Sequence, residues 1–231
     1  MSLAYDEIVS LGLDCRLAFN LRRTFGIARA FPFDWWVTPL PALVAFLQDP
    51  SLDKLYDPAR LEPVIAKGGL FAIRNAHYDI ELHHEFPRGD DGLVAHHWTA
   101  HIAKARERSA YLWSRLLGLP EGSRVLFARS FSRAERRALA GRWEPMVEAA
   151  QRALAELFPR IAFELLLIDP PDPIRRTGVM SLRINDPNKD DWRGTPGLWT
   201  DRLIAAGIAW TGAPDPDRRE LTPEQDQAAY A

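Results

Sequence analysis

The sequence predicts a three-layer α/β fold, in which a mostly parallel sheet is covered by helices on both faces. Apolar segments of strand length alternate along the chain with amphipathic segments of helical period. Two of the strand segments, 124–129 and 163–168, are near-continuous apolar runs, which is typical of strands buried on both faces. The chain has 231 residues, 47% of them hydrophobic, and we predict a single globular domain over 1–231 with a polar tail from about 213.

Five segments have the pattern of strands. The first is short and apolar and ends in a tight turn before Cys15, and the second alternates apolar and polar side chains. Two near-continuous apolar runs and a last short apolar segment follow. The predicted strands cover residues 7–13, 78–83, 124–129, 163–168 and 208–210. The prolines and charges between 49 and 69 predict loops and a short helix.

Helices are predicted between these strands from apolar residues that recur at helical spacing. Gly26 marks the end of the first helix. Thr38 predicts an N-cap with Pro39 at the first helical position, and Ser132 with Glu135 forms a capping-box pattern. The predicted helices cover residues 16–25, 39–47, 98–116, a pair within 132–157 that is divided near Gly141, and 197–206.

Charge and cysteine content argue against several classes of partner. The formal net charge is −2, so the chain has no overall field that would attract nucleic acid or anionic lipid, and we predict neither as a partner. One cysteine cannot form an internal disulfide, and the first residues lack the pattern of a signal peptide, so we expect a cytoplasmic protein. No segment approaches about 18 uninterrupted apolar residues, the length that a spanning helix needs.

Reactive side chains follow the predicted strands at their carboxyl ends. They are Asp14 and Cys15, then His83, His84 and Glu85, then Arg129 and Ser130, and finally Asp169. Ligands of open parallel sheets bind beyond these ends. If the strands are parallel, we expect the groups to converge on one edge of the sheet.

Cys15 is the most reactive candidate. At the first turn of a helix, free backbone N–H groups and the helix dipole favour the thiolate over the thiol. An imidazole could take the proton and return it to the leaving group. His84 is our first choice for that base and His83 the alternative, because neighbours on an alternating strand face opposite ways. The competing interpretation is structural, since an unpaired cysteine is more often a buried apolar residue.

Motifs for cofactors and metals are missing from the sequence. It contains no glycine-rich dinucleotide fingerprint, no P-loop and no G-x-S-x-G elbow. His97 and His101 have the spacing of two metal ligands on a helix, but the glutamate of the metalloprotease pattern is replaced by Trp98. We predict neither a metal nor another cofactor.

Several motifs together resemble an uncharacterised family catalogued as papain-like cysteine peptidases. The motifs are Ser10-Leu11-Gly12 with Cys15, Ala18 and Leu21-Arg22; Pro32-Phe33-Asp34-Trp35 with Thr38; His84-Glu85-Phe86; Phe127 with Arg129; and Asp191-Trp192 with Gly194 and Trp199. The third motif carries glutamate where the family is expected to have aspartate. The resemblance covers most of the chain and is concentrated in its first forty residues.

The resemblance implies a nucleophile, a base and an orienting side chain in papain-like order. Cys15 and His84 take the first two roles. One of Asn185, Asn188 or Asp191 takes the third, and Asp34 is the other candidate. A papain-like α+β architecture would place a helical half against an antiparallel half, in conflict with the alternation of strands and helices. The doubly wound alternative has the layout of the SGNH esterases, with cysteine in place of serine.

The leading hypothesis is therefore a cysteine-dependent hydrolase acting on an unidentified small molecule or peptide. Its rival is a non-catalytic binding module, in which Arg22 and Arg129 recognise an anionic or sugar-phosphate ligand. The residues predicted to contact substrate or ligand are Asp14, Arg22, Trp35, His83 and Arg129.

Overall fold

The structure is a computed structural model that describes residues 3–66, 68–188 and 191–212. Its strands are β1 Leu3–Tyr5, β2 Glu7–Ser10, β3 Leu61–Ala66, β4 Gly69–Asn75, β5 Ile80–Leu82, β6 Arg124–Ser130, β7 Ala162–Ile168, β8 Val179–Leu182 and β9 Ile208–Trp210. Its helices are α1 Cys15–Phe25, α2 Leu40–Gln48, α3 Leu52–Leu55, α4 Ile102–Leu117, α5 Arg133–Ala138, α6 Trp143–Leu157 and α7 Leu198–Ala205. The predicted polar tail from about 213 lies outside the described residues.

The principal sheet is parallel. Strands β2, β6, β7 and β8 lie side by side in that order, with parallel pairing throughout. Only Asp6 separates β1 from β2, and β1 pairs in parallel with β9. The backbone N–H of Leu3 donates to Gly207, whereas that of Asp6 donates to Arg124. The stretch 3–10 therefore lies between β9 and β6, and the carboxyl ends of all these strands share one edge.

The central strands alternate their side chains between two layers of helices. Ile8 and Leu126 belong to a buried cluster that also contains residues of α1 and α7. Their neighbours Val9 and Phe127 belong to a second cluster with residues of α2, α4 and α6. Burial on both faces explains the near-continuous apolar runs. The predicted three-layer α/β architecture is confirmed, and it is adopted in preference to the papain-like alternative.

A separate antiparallel sheet, in the order β3-β4-β5, is inserted between α3 and α4. The strand predicted over 78–83 was expected to join the parallel sheet, and this expectation was wrong. A strand is present at Ile80–Leu82, but it pairs with β4 rather than with the parallel sheet. Alternation of apolar and polar side chains predicts a strand and says nothing about its partner. β3, which contains Pro63, lies in the region that the sequence predicts as loops and a short helix.

Helix α2 begins later than the capping pattern predicts. Pro39 occupies the N-cap, and the Thr38 hydroxyl instead donates to the carbonyl oxygen of Leu11 at 3.3 Å. The backbone N–H of Leu40 donates to the Glu135 carboxylate at 2.6 Å. A contact with a distant helix therefore replaces the local cap that the sequence suggests.

A buried ion pair joins the chain segments at the carboxyl edge of the sheet. Arg129, only 1% exposed, donates from Nη2 to Oε1 of Glu135 at 2.7 Å. The same guanidinium donates to the carbonyl oxygens of Gly12 at 3.3 Å and Thr38 at 2.9 Å. Gly12 follows β2, Thr38 precedes α2 and Glu135 lies on α5. One guanidinium thus connects three segments that are far apart in sequence.

We predict that Glu135→Ala lowers the free energy of unfolding by about 3–5 kcal/mol, because it leaves the Arg129 charge buried and without its counter-ion. The matched control is Glu121→Ala, which removes an ion pair with Arg160 whose two side chains are 69% and 72% exposed. Exposed pairs contribute about 0–1 kcal/mol. Equilibrium unfolding in urea measures both variants, and equal losses would contradict the central position given to Arg129 and Glu135.

Candidate functional site

The turn between β2 and α1 has an uncommon backbone conformation. Gly12 and Leu13 both have φ of 76°, in the left-handed region. Glycine adopts this region freely, whereas a leucine there costs roughly 1–3 kcal/mol and is retained only when its surroundings hold it. The Thr38 N–H donates to the Leu13 carbonyl at 3.1 Å, and a Cβ on residue 12 would overlap the Thr38 hydroxyl. The segment at Thr38 therefore holds the turn in its strained form.

Cys15 is the first residue of α1 and is half-buried. Asp14, the N-cap, accepts a hydrogen bond from the Arg16 N–H at 3.1 Å. Burial, and secondly the Asp14 carboxylate, raise the pKa of the Cys15 thiol to about 12. This direction is opposite to the one expected from the helix start. The thiol is therefore protonated at neutral pH, and one helix-start N–H is already bound to Asp14.

His84 and His83 lie in the turn after β5. The His84 ring packs edge-on against Trp35, with 6.1 Å between ring centroids. Burial, followed by the positive charges of Arg88 and Arg108, lowers the pKa of His84 to about 4. Its buried Nδ1 has no hydrogen-bond partner among the described residues. His84 is thus a neutral imidazole at pH 7.

His83 has different surroundings. Its Nδ1 lies 3.2 Å from Nη2 of Arg88, which also donates to its backbone carbonyl. Its ring lies 4.7 Å from that of Phe71, on β4. His83 therefore belongs to the antiparallel sheet and its adjoining loop.

Cys15 and His84 have different hydrogen-bond and electrostatic partners. Over residues 3–66, 68–188 and 191–212, no hydrogen bond joins the thiol to either histidine. The charges that act on the thiol are those of Asp14 and Arg16, and neither acts on the imidazole. β5 pairs with β4 in the antiparallel sheet, whereas Cys15 follows the parallel strand β2. The two regions are linked through Val37, which forms a two-way backbone bridge with Glu81, and Thr38, whose N–H donates to Leu13.

Asp34 is buried in a 3-10 turn over Pro32–Asp34. Its Oδ2 accepts from the Phe31 N–H at 3.0 Å. Burial raises the pKa of Asp34 to about 6, against the lowering effect of the Arg22 charge. Together with Ser10, these two side chains line a cavity of about 10 Å³, which is room for roughly one water molecule. Asp34 is thus placed with Arg22, and the structure gives no contact between it and His84.

The guanidinium groups of both predicted anion-binding arginines are engaged within the protein. Arg22 donates to the carbonyl oxygens of Ile27 at 3.4 Å and Ala28 at 3.1 Å, just beyond α1. Arg129 is buried with Glu135 and the strand-end carbonyls. Trp35 is 6% exposed, and the guanidinium of Arg108 covers its ring at 4.9 Å from the centroid.

Asp191 does lie beside the start of α1. Arg16 donates to the carbonyl oxygens of Asp191 at 2.9 Å, Trp192 at 2.7 Å and Asn188 at 3.3 Å. The Asp191 carboxylate is bound by Arg193, whose hydrogen bonds hold the pKa of this carboxyl below its usual value. The structure therefore brings the backbone of Asp191 to the Cys15 turn, with its carboxylate paired elsewhere.

Asp186 organises this loop, and sequence reasoning missed it, because its position before Pro187 is the one local feature that marks it. Its carboxylate accepts hydrogen bonds from the Thr195 hydroxyl at 2.7 Å and the Trp199 indole at 2.8 Å. Burial raises the pKa of Asp186, but its hydrogen bonds have the opposite effect and outweigh it. The hydrogen bonds from Thr195 contribute most, and the pKa is lowered to about 2. A Cβ on Gly194 would overlap this carboxylate.

A larger open groove of about 520 Å³ lies away from these groups. It is lined by residues of α6 and by Phe163, Arg176 and Thr177. Phe163 lies at the amino end of β7, the edge opposite Cys15. Its polar lining is internally bonded, since Gln151 binds both Arg176 and the Thr177 carbonyl. We assign no chemistry to this groove.

The fold and this turn define a three-layer α/β protein with a cysteine at a strand-to-helix junction. No family model matches the chain, and neither a curated protein nor a solved structure shows significant similarity to it. Among the described residues, no helix is long and apolar enough to cross a membrane. Over the same residues, no group of three or more histidine, cysteine or acidic side chains is placed to hold a metal ion.

We predict that iodoacetamide alkylates Cys15 in the native protein about 100-fold more slowly at pH 7 than an ordinary cysteine of pKa about 8.5. A pKa of about 12 reduces the thiolate fraction by more than three decades, and the higher nucleophilicity of the basic thiolate offsets nearly half of that. The rate should still rise above pH 10. Peptide mass spectrometry measures it, with the guanidinium-unfolded chain as control. A plateau below pH 9 in the native protein would contradict the raised pKa.

Proposed function

We propose that the protein is a cysteine-dependent hydrolase whose nucleophile is Cys15. The observation that carries the proposal is the strained turn of Gly12 and Leu13, which places Cys15 at the first position of α1, at the carboxyl edge of the parallel sheet. Strained strand-to-helix turns present the nucleophile in α/β hydrolases, and stored backbone strain concentrates at functional sites. We expect the reaction in the reducing cytoplasm, where a single thiol stays free.

The thiol in this proposal is activated during the reaction rather than in advance. A pKa of about 12 argues against a preformed thiolate, so a base must take the proton as sulfur attacks. His84 supports this role because it is neutral at pH 7 and its Nδ1 is unbonded among the described residues. The base must come within about 2.6–3.2 Å of the proton that it takes. The reaction therefore requires His84 to approach Cys15 when substrate binds.

The chemistry is a two-step acyl transfer. The Cys15 sulfur bonds to the acyl carbon while its proton passes to His84, and the leaving group departs with that proton. Water then gives a proton to His84 and adds to the acyl carbon, the carbon–sulfur bond breaks to release a carboxylic acid, and His84 returns the proton to the Cys15 sulfur. Of the four orienting candidates, Asn188 and Asp191 lie in the loop that contacts α1 through Arg16, whereas Asp34 is buried with Arg22. The substrate class is an acyl ester, thioester or peptide.

A non-catalytic binding module is the second candidate, and the raised thiol pKa favours it. In that case Cys15 is a packing residue at the start of α1. The anion-binding role of Arg22 and Arg129 gains no support, because both guanidinium groups are bound to backbone carbonyls. Ligand binding that is unchanged in Cys15→Ala, without any turnover, would favour this candidate.

Hydrolysis of p-nitrophenyl acetate and of an acetyl thioester tests the hydrolase. We predict that Cys15→Ala abolishes turnover and that His84→Ala lowers kcat/KM by about 10²–10⁴-fold, the usual contribution of a general base. His96→Ala, at an exposed histidine, is the matched control and should change kcat/KM by less than about threefold. Because His84 is active when unprotonated, kcat/KM should fall as pH drops through about 4. Turnover that survives Cys15→Ala would refute the proposal.

A further inference from the structure

Glu85 is a buried acid with only half of its hydrogen-bonding capacity used. It is 8% exposed, and its Oε1 accepts from the Trp36 indole at 3.2 Å. Its buried Oε2 has no partner among the described residues. Nearby, the hydroxyls of Tyr56 and Ser109 are hydrogen-bonded at 2.6 Å. An ionised carboxylate in this position would be a buried charge without a counter-ion in contact, which is strongly unfavourable.

Arg108 is the cation placed to respond to that charge. It precedes Ser109 on α4, is exposed, and lies over the Trp35 ring at 4.9 Å. Among the described residues, the contact found for the Arg108 guanidinium is the one with the Trp35 ring. Its charge nevertheless acts on both Glu85 and His84. Arg108 therefore lies within electrostatic range of both groups.

The other charged groups in this region are less able to move. Arg88 faces His84 from the loop after β5, but it is bound to the backbone carbonyls of His83 and Phe71. Tyr56 faces Glu85 from the end of α3, and burial together with the Glu85 charge raises its pKa well above the usual value. Tyr56 thus stays neutral wherever Glu85 titrates. Of the groups named here, Glu85 is therefore the one whose charge changes near neutral pH.

We propose that Arg108 is a pH-controlled cover of Trp35 and His84, held on the Trp35 ring while Glu85 is protonated and drawn to the Glu85 carboxylate when that proton is lost. A cation–π contact at an exposed site is weak, whereas a charge-assisted hydrogen bond to a buried carboxylate is among the stronger polar contacts. Burial raises the pKa of Glu85 to about 7, despite the opposing effects of Arg108 and Trp36. The exchange is thus expected near neutral pH.

The effect of this movement on activity rests on the proposed function, whereas the movement of Arg108 itself does not. If His84 is the base for Cys15, removal of Arg108 from Trp35 opens the face of the site that His84 occupies. The candidate hydrolase would then be covered below about pH 7 and open above it. The movement itself involves Glu85, Arg108 and Trp35 and does not require a reactive Cys15.

The test is a pH titration of the tryptophan indole N–H signals by ¹H–¹⁵N NMR. Trp35 is assigned by loss of its signal in Trp35→Phe. Trp36 is assigned in the same way or, if Trp36→Phe does not fold, by its through-space contact with the Phe33 ring, whose centroid is 5.4 Å away. We expect both signals of the wild-type protein to shift with a common midpoint near pH 7 and neither to shift in Glu85→Gln.

The variant Arg108→Gln distinguishes a movement of Arg108 from a titration of Glu85 without that movement. Trp36 should still shift in this variant, because it is hydrogen-bonded to Glu85, whereas the shift of Trp35 should be lost. Glu107→Gln, an exposed change on the same helix, is the matched control and should leave both titrations intact. A Trp35 titration that persists in Arg108→Gln, or a wild-type protein in which only Trp36 or neither signal titrates, would overturn the inference. None of these measurements depends on turnover, so failure of the proposed hydrolase activity is detected separately.

Discussion

The buried pair of Arg129 and Glu135 is the contact on which the candidate site depends. Arg129 holds the carbonyl of Gly12, in the turn before Cys15, and that of Thr38, in the segment that follows Trp35. Glu135 in turn binds the backbone N–H that begins α2. Because a buried charge is tolerated only with its partners in place, the two segments have little freedom to separate. The contact that stabilises this edge of the sheet therefore also sets where the cysteine lies relative to the histidine loop.

The layered architecture was predictable because strands that are buried on both faces have near-continuous apolar sequences. Leu126 and Phe127 point to opposite helical layers, so neighbouring positions are both apolar and the strand is recognisable without its partners. The start of α1 was predictable to within one residue from the helical spacing over 16–25, and the structure adds Asp14 as its N-cap. The position of Cys15 at that helix start follows from the same local signals.

The placement of His84 was not predictable, because alternation over 78–83 does not say whether a strand joins a parallel or an antiparallel sheet. Thr38 shows the same limit, since its hydroxyl binds Leu11 while distant Glu135 replaces the expected cap. The pKa of Cys15 depends on how deeply the thiol is buried, and sequence reports only its position on the helix. In the sequence, Arg129 stands at the carboxyl end of a predicted strand, where ligand-binding residues occur. Only the fold shows that its guanidinium is paired with buried Glu135. These features all depend on contacts between segments that are distant in sequence.

The central claim is that Cys15 carries an acyl group during turnover with His84 as its base. Rapid quenching after mixing with an acetyl thioester, followed by peptide mass spectrometry, tests this claim most directly. We expect an acetyl group on the Cys15 peptide within the first turnover of the wild-type protein, and at least about 100-fold slower labelling in His84→Ala. Turnover with Cys15 unmodified, or equal labelling rates in the two proteins, would contradict it.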